Sequence, residues 1–227
     1  MQDIIQNFDF LMKGLAVTII LGVMSAVTSL VLGSILGLIR YSKTPFSIIA
    51  TIFIEITRSI PLVLYIVFIY LTFSPFLSMI NVYNDDIFGS LEFQSAYIAL
   101  SLFTSAYIAE IVRSGLKSIE KEQIQGAKAL GLNTCQRIIY IILPCAIARM
   151  MPALVSQFIT LIKDTSLASI IGLIEFTRSG EIIYERTYNE AQILAFIAFV
   201  YFIICYSISQ FSRKLETRPF SIIKLGF

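Results

Sequence analysis

The chain has 227 residues, 57% of them hydrophobic and only 14% charged, with a formal net charge of +2 and no histidine, and its mean hydropathy is +0.82. Soluble domains run nearer about 45–50% apolar and about 25% charged, and a water-soluble fold of this size cannot hide so much apolar surface. The composition excludes an ordinary soluble protein, the small net charge gives no nucleic-acid footprint, and the missing imidazole removes the commonest general base and metal ligand.

A membrane-spanning helix needs about 20 apolar residues. Five stretches qualify: 14–39, 46–80, 93–112, 138–162 and 191–211. The first is no cleaved leader, because Asp3 and Asp9 stand where a leader is basic and the apolar run is too long. It carries Gly33 and Gly37, a G-x-x-x-G pair that favours close helix packing. Glu55, Arg58, Ser59 and Pro61 interrupt the second stretch. Glu55 and Arg58 are three residues apart on one helix face and are expected to pair. Ser59 and Pro61 then break the helix, either as a simple kink or as unwound backbone lining a route. The fourth stretch contains Pro144 and Pro152, and Arg149, Gln157, Thr160 and Asp164 share a polar stripe along it, with Lys163 beside them. Such a stripe faces a water-filled route or forms an interhelical hydrogen-bond seam. The short apolar run 164–174, with hydroxyls at Thr165 and Ser166, reads as re-entrant or interfacial. Cys145 and Cys205 read as small buried hydrophobes. Tyr65, Tyr70, Tyr97, Tyr201 and Tyr206 fit an interfacial belt or a packed core.

Lys and Arg distribute unevenly about these stretches. Eleven lie on the side holding the 40–43 loop, the 113–137 segment and the C-terminal tail, against three on the other side, while the 81–92 loop has only Asp85, Asp86 and Glu92. The bias predicts an outside N-terminus and a cytoplasmic C-terminus. The fold class expected is all-α integral membrane, one transmembrane domain with five spans.

Residues 118–136, SIEKEQIQGAKALGLNTCQ, are too polar for the bilayer. Ile124, Ala127, Leu130 and Gly131 recur at helical spacing, giving a helix over about 120–132 with a small apolar face. Gly131 suits a helix end that needs positive φ. Read alone, this is a cytoplasmic loop helix, one lying on the membrane, or one docked into a partner.

Beyond that pattern, the stretch from Gln125 through Gly131 and Ile141 to Leu143-Pro144 resembles the EAA signature of ABC importer permeases. Gln125 stands at the glutamate position, and Gly126 and Ala127 at the two alanines; Gly131, Ile141, Leu143 and Pro144 match in identity and spacing. GLAVTIILGV near residue 14, RSIPLV at 58–63, AYIAEIVRSGL at 106–116 and LIKDTSLASIIG at 161–172 resemble the polar amino-acid uptake branch, so the likeness runs from Gly14 to Arg213. The resemblance implies a type I importer permease fold with a coupling helix. Gln125, Gly126, Ala127, Leu130 and Gly131 would dock on an ABC ATPase dimer that holds the ATP and Mg. It further implies a second permease subunit, identical or paralogous, an extracytoplasmic solute-binding protein, and the bacterial inner membrane as location. The departure is Gln125, which keeps hydrogen bonding but loses a charge.

The chain has no G-x-x-x-x-G-K-[ST] phosphate loop, so the motor is expected on another subunit and no cofactor in this one. A membrane enzyme lacks a convergent nucleophile, base or metal set. The alternative is a secondary transporter or channel, which repeated halves or a selectivity ring would mark. For the route, Glu55, Arg58, Ser59, Pro61, Arg149, Gln157, Thr160, Lys163, Asp164, Thr165 and Ser166 are the candidate residues. Their excess of cations points to an anionic or neutral polar amino acid, with glutamate or aspartate first.

Overall fold

The structure, a computed structural model, describes residues 2–42, 44–79 and 89–216. Lys43, the 81–88 part of the acidic loop with Asp85 and Asp86, and the tail with Arg218 and Lys224 lie outside the described residues. Ten α-helices follow in order: α1 Gln2–Gln6, α2 Phe8–Tyr41, α3 Phe46–Ser59, α4 Leu62–Met79, α5 Leu91–Lys117, α6 Lys121–Ala129, α7 Thr134–Arg137, α8 Leu143–Asp164, α9 Phe176–Thr187 and α10 Glu190–Glu216. A π turn at Ile138–Ile142 joins α7 to α8, and a 3-10 turn at Thr165–Ile171 extends α8.

Among the described residues, four helical segments are long and apolar enough to cross a membrane, Phe8–Tyr41, Leu91–Lys117, Thr134–Ile171 and Glu190–Arg213, and the count rises to five if the bent pair Phe46–Ser59 and Leu62–Phe73 is one span. The stretch 46–80 is a pair of helices bent by 110° at Ile60–Pro61. The cause is local. A residue before proline is pushed out of the helical region, and Ile60 sits at φ −94°, ψ 135°. At 14 residues α3 is about 21 Å long, short of a bilayer core of about 30 Å. It covers α2 and α5 near residues 36–40 and 106–110, while α4 packs towards the other end of α5.

α5 is the central helix, and α2, α3, α4 and α8 all pack on it. Its closest neighbour is α2. A Cβ added at Gly33 would lie 2.6 Å from Ile108 Cβ, and one at Gly37 would lie 2.6 Å from the Ala109 carbonyl oxygen. Small buried side chains, Ser25, Ser29, Ser101 and Ser105, continue the same seam. The G-x-x-x-G pair thus sets the distance between α2 and α5.

At one end of the bundle α6 stops in a Schellman turn. Gly131 adopts φ +77°, its N–H donates to the Lys128 carbonyl at 3.0 Å, and the Leu132 N–H donates to the Ala127 carbonyl at 3.2 Å. Asn133 then opens α7 with a capping box, accepting from the Gln136 N–H at 2.8 Å while its own N–H donates to Gln136 Oε1 at 2.9 Å. The π turn follows because Pro144 has no N–H and its ring clashes with the carbonyl four residues back.

At the opposite end, the run 164–174 is a 3-10 continuation of α8 that ends at Gly172, φ +91°. The Thr165 and Ser166 hydroxyls donate to the carbonyls of Ile162 and Lys163, each three residues back, at 2.7 Å. α9 is an element the hydropathy pattern does not announce. Glu175, fully buried, caps it: Oε1 accepts the Arg178 N–H at 2.8 Å, and Oε2 accepts from the Thr18 and Tyr201 hydroxyls at 3.2 and 3.3 Å. One carboxyl outside the spanning helices thereby ties α2, α9 and α10 together, and burial pushes its pKa up. Cys145 and Cys205, expected to be buried, are only half-buried, as suits apolar faces turned to lipid or a neighbouring chain.

The tight α2–α5 seam yields a prediction. Gly33→Leu forces extra volume against Ile108 and the Ser105 carbonyl, and should cost about 1–3 kcal/mol or more. Gly126→Ala adds its methyl where nothing lies within 4 Å and, inside α6, should stabilise by about 0.5–1 kcal/mol. Thermal unfolding of the detergent-solubilised protein checks both; an unmoved midpoint for Gly33→Leu would contradict the packing.

Candidate functional site

A cavity of about 540 Å³ opens between α3, α5 and α8. That volume is in the range of about 300–1,000 Å³ typical of small-molecule sites. α5 contributes Tyr107, Glu110, Ile111, Ser114, Gly115 and Ser118, which recur at three and four residues and so share one face. α8 contributes Arg149, Met150, Ala153, Ser156, Gln157 and Thr160, again one face, and Arg58 enters from the end of α3. α5 and α8 touch most closely at Gly115, where a Cβ would collide with Met150 Cγ.

The charges here are arranged differently from the expected Glu55–Arg58 pair. Glu55 instead binds Arg40 of α2, with Nη2 to Oε1 at 2.6 Å, and its side chain is 56% exposed. Arg40 also donates through Nη1 to Glu110 Oε2 at 2.8 Å. Arg113 Nε reaches the two Glu110 oxygens at 3.0 and 2.9 Å, and its Nη2 bonds Oε1 as well. Glu110, the one carboxylate on the cavity wall, is therefore occupied by two guanidiniums. Arg58 makes no ion pair among the described residues; it lies over the Tyr107 ring, 5.2 Å from the centroid. The reason for the correction is tertiary. A helical neighbour three residues away competes with an arginine delivered by another helix, and Arg40 joins two carboxylates at once. Arg149 donates through Nη1 to the Ser118 carbonyl, and its Nη2 lies 4.0 Å from Glu120 Oε1.

Of the expected route residues, the cavity gathers Arg58, Arg149, Gln157 and Thr160. Lys163 and Ser166 line a different cavity of about 380 Å³ with Thr177, Leu194, Ile197, Ala198 and Tyr201. Thr165 is fully buried, and Asp164, though on the α8 stripe, lies on neither wall. Ser59 spends its hydroxyl on the Glu55 carbonyl at 2.7 Å, and Pro61 serves the bend. Tyr107, Glu110, Ser114 and Ser118 are additions. Their signal was present in the sequence as polar residues spaced three, four and four apart along an apolar stretch.

On α6 the small face divides. Ala127 is 2% exposed and turned into the chain's own fold, whereas Leu130 is 80% exposed and Gln125, Gly126 and Gly131 are open. Nothing lies within 4 Å of a Cβ placed at Gly126 or Gly131. Ile119 and Ile124 anchor the start of the helix against Ala146 and Met150 of α8.

Residues 19–220 match the family described as "Binding-protein-dependent transport system inner membrane component". The chain is 38% identical over 94% of its length to the "Probable glutamine ABC transporter permease protein GlnP" of Bacillus subtilis, covering 95% of that protein. It is 35% identical to the "Glutamate/aspartate import permease protein GltK" of Escherichia coli O6:H1, over 95% of this chain and 96% of the relative. It is 31% identical to the "Arginine transport system permease protein ArtQ" of Bacillus subtilis, over 94% of each. Among solved structures, "Crystal structure of an amino acid ABC transporter with histidines" superposes with a TM-score of 0.82 at 28% identity, over 95% of this chain and 96% of that one.

The ion network carries a prediction of its own. Arg40→Met leaves Glu55 and Glu110 without their shared partner and unties α3 from α2. Because Glu55 is exposed and Glu110 keeps Arg113, the loss should be about 1–3 kcal/mol, below that of a fully buried pair. A thermal midpoint within error of the parent would show that the network contributes nothing to stability.

Proposed function

Because the chain belongs to the family of binding-protein-dependent transport system inner membrane components, we propose that it is the permease subunit of an ATP-driven importer whose cargo is an acidic amino acid, glutamate or aspartate. The coarser statement, a permease of a polar amino-acid importer, follows from the family and the relatives together. The cargo rests on one observation, the charge balance of the cavity. Its wall carries two guanidiniums, Arg58 and Arg149, and one carboxylate, Glu110, already held by Arg40 and Arg113. An unmatched cation costs more the further it is withdrawn from water, so a second carboxylate on the cargo offsets that cost and a cationic cargo adds to it. Gln157, Ser156 and Thr160 supply neutral donors and acceptors beside the charges.

This chain performs no chemistry in the reading: it alternates access while a separate ATPase dimer binds ATP and Mg. Gln125, Gly126, Leu130 and Gly131, the open side of α6, form the docking face for that ATPase, with Ala127 as the internal support beneath it. A second permease subunit, identical or paralogous, completes the route, and a solute-binding protein delivers cargo at the α9 end. The eleven-to-three Lys/Arg asymmetry supports an outside N-terminus and a cytoplasmic α6 end.

Three measurements test this. In proteoliposomes with the binding protein and ATPase, glutamate or aspartate should stimulate ATP hydrolysis and arginine should not; strong stimulation by arginine alone refutes the charge argument. Gln157→Glu should weaken acidic cargo by like-charge repulsion, and no change would place Gln157 outside the route. For orientation, with the native cysteines replaced, Tyr188→Cys should react with an impermeant thiol reagent from outside and Leu130→Cys only after permeabilisation. The reverse pattern inverts the topology.

A further inference from the structure

Arg149 lines the cavity and also holds, through polar contacts, the turn leading into α6. Its guanidinium faces the cavity from α8, donates through Nη1 to the Ser118 carbonyl at the end of α5, and points Nη2 towards Glu120, the N-cap of α6. We infer that Arg149 is a positioning residue that conveys the occupancy of the cavity to the coupling helix, by dividing its guanidinium between a cargo carboxylate and the α5–α6 turn.

Three observations support the inference. First, the end of α5 does not need Arg149 as a cap. The Ser118 N–H already donates to Ser114 and Gly115 carbonyls at 3.0 and 3.3 Å, and the Ser118 hydroxyl to Gly115 at 2.7 Å. The Ser118 carbonyl is in an exposed turn where water could serve it, so the arginine fixes position rather than rescuing a buried group. Second, the turn is hinged on its other side by apolar contacts alone: Ile119 and Ile124 pack on Ala146 and Met150, the neighbours of Arg149 on α8. α6 is thus held between a greasy pivot and a polar latch that both lie on one stretch of α8. Third, the latch is weak enough to exchange. Glu120 is 4.0 Å away and 65% exposed, worth little as a surface pair. A cargo carboxylate offers an ion-paired, bidentate partner for the planar guanidinium, a stronger one than a single carbonyl oxygen. An arrival in the cavity therefore draws Arg149 away from the turn, and α6 changes its seat.

The inference rests on the cavity being the cargo route, so the test separates the two. The permease is reconstituted with its ATPase and binding protein, using whichever of glutamate, aspartate, glutamine or arginine stimulates the parent most. The readout is the ratio of cargo-stimulated to basal ATP hydrolysis. A parent that no amino acid stimulates defeats the route itself, and the inference falls with it. Given a responsive parent, Glu120→Gln, which leaves the cavity wall intact, should lower the ratio by about twofold while the subunits still co-elute. An unchanged ratio overturns the inference, as does an equal loss of both rates, the mark of a purely structural contact. At cargo concentrations that saturate stimulation, so that lost affinity is not what is read, Arg149→Gln should bring the ratio to one and Arg149→Lys, a point charge without the planar fork, should restore part of it; a parental ratio in Arg149→Gln is equally fatal.

Discussion

In lipid, apolar side chains gain little by leaving the solvent for one another, so helices associate through close backbone packing and hydrogen bonds. The α2–α5 seam is this constraint in physical form. Gly33 and Gly37 bring α2 against the Ala109 carbonyl and the Ile108 side chain, and that contact fixes α5 as the axis to which α3, α4 and α8 attach. The cavity exists because only part of α5 is enclosed in this way. The face bearing Tyr107, Glu110 and Ser114 is left to α8 and the tip of α3, which meet it with polar side chains rather than a dry seam.

Electrostatics then divides the same helix. Towards α2 and α3, Glu110 is enclosed by Arg40 and Arg113; towards the cavity, Arg58 rests on an aromatic face. Arg40 reaches both Glu55 and Glu110, so α2, α3 and α5 share one charge cluster where their chain ends converge. The net effect is a cavity wall whose acid is spent internally and whose cations remain available.

The sequence made much of this legible, for physical reasons that also explain the gaps. Long apolar runs mark helices because the bilayer demands them, and the α8 stripe at 149, 157 and 160 was readable because helical period alone decides which residues share a face. Gly131 announced its positive φ. The Glu55–Arg58 pairing was misread because local spacing says nothing about Arg40 arriving from fifteen residues away across a tertiary contact. Lys163 stands beside the α8 stripe rather than on it and lines another cavity, which Ser166 joins from the 3-10 turn, where the period drops from 3.6 to 3. α9 was missed because it is short and charged, stabilised by the buried Glu175 cap rather than by an apolar run. The burial of Ala127 depends on which side of α6 its anchors lie, which composition does not encode.

The corner between α6 and α7 has a mechanical consequence. Its Schellman turn and capping box satisfy the backbone groups that helix ends leave open, so the corner behaves as a stiff elbow. Four residues further on, the π turn before Pro144 has a backbone ladder already interrupted. A load applied to the open side of α6 would reach α8 both through this elbow and through the Ile119 and Ile124 contacts with Ala146 and Met150, with the π turn as the joint where the two could flex against each other.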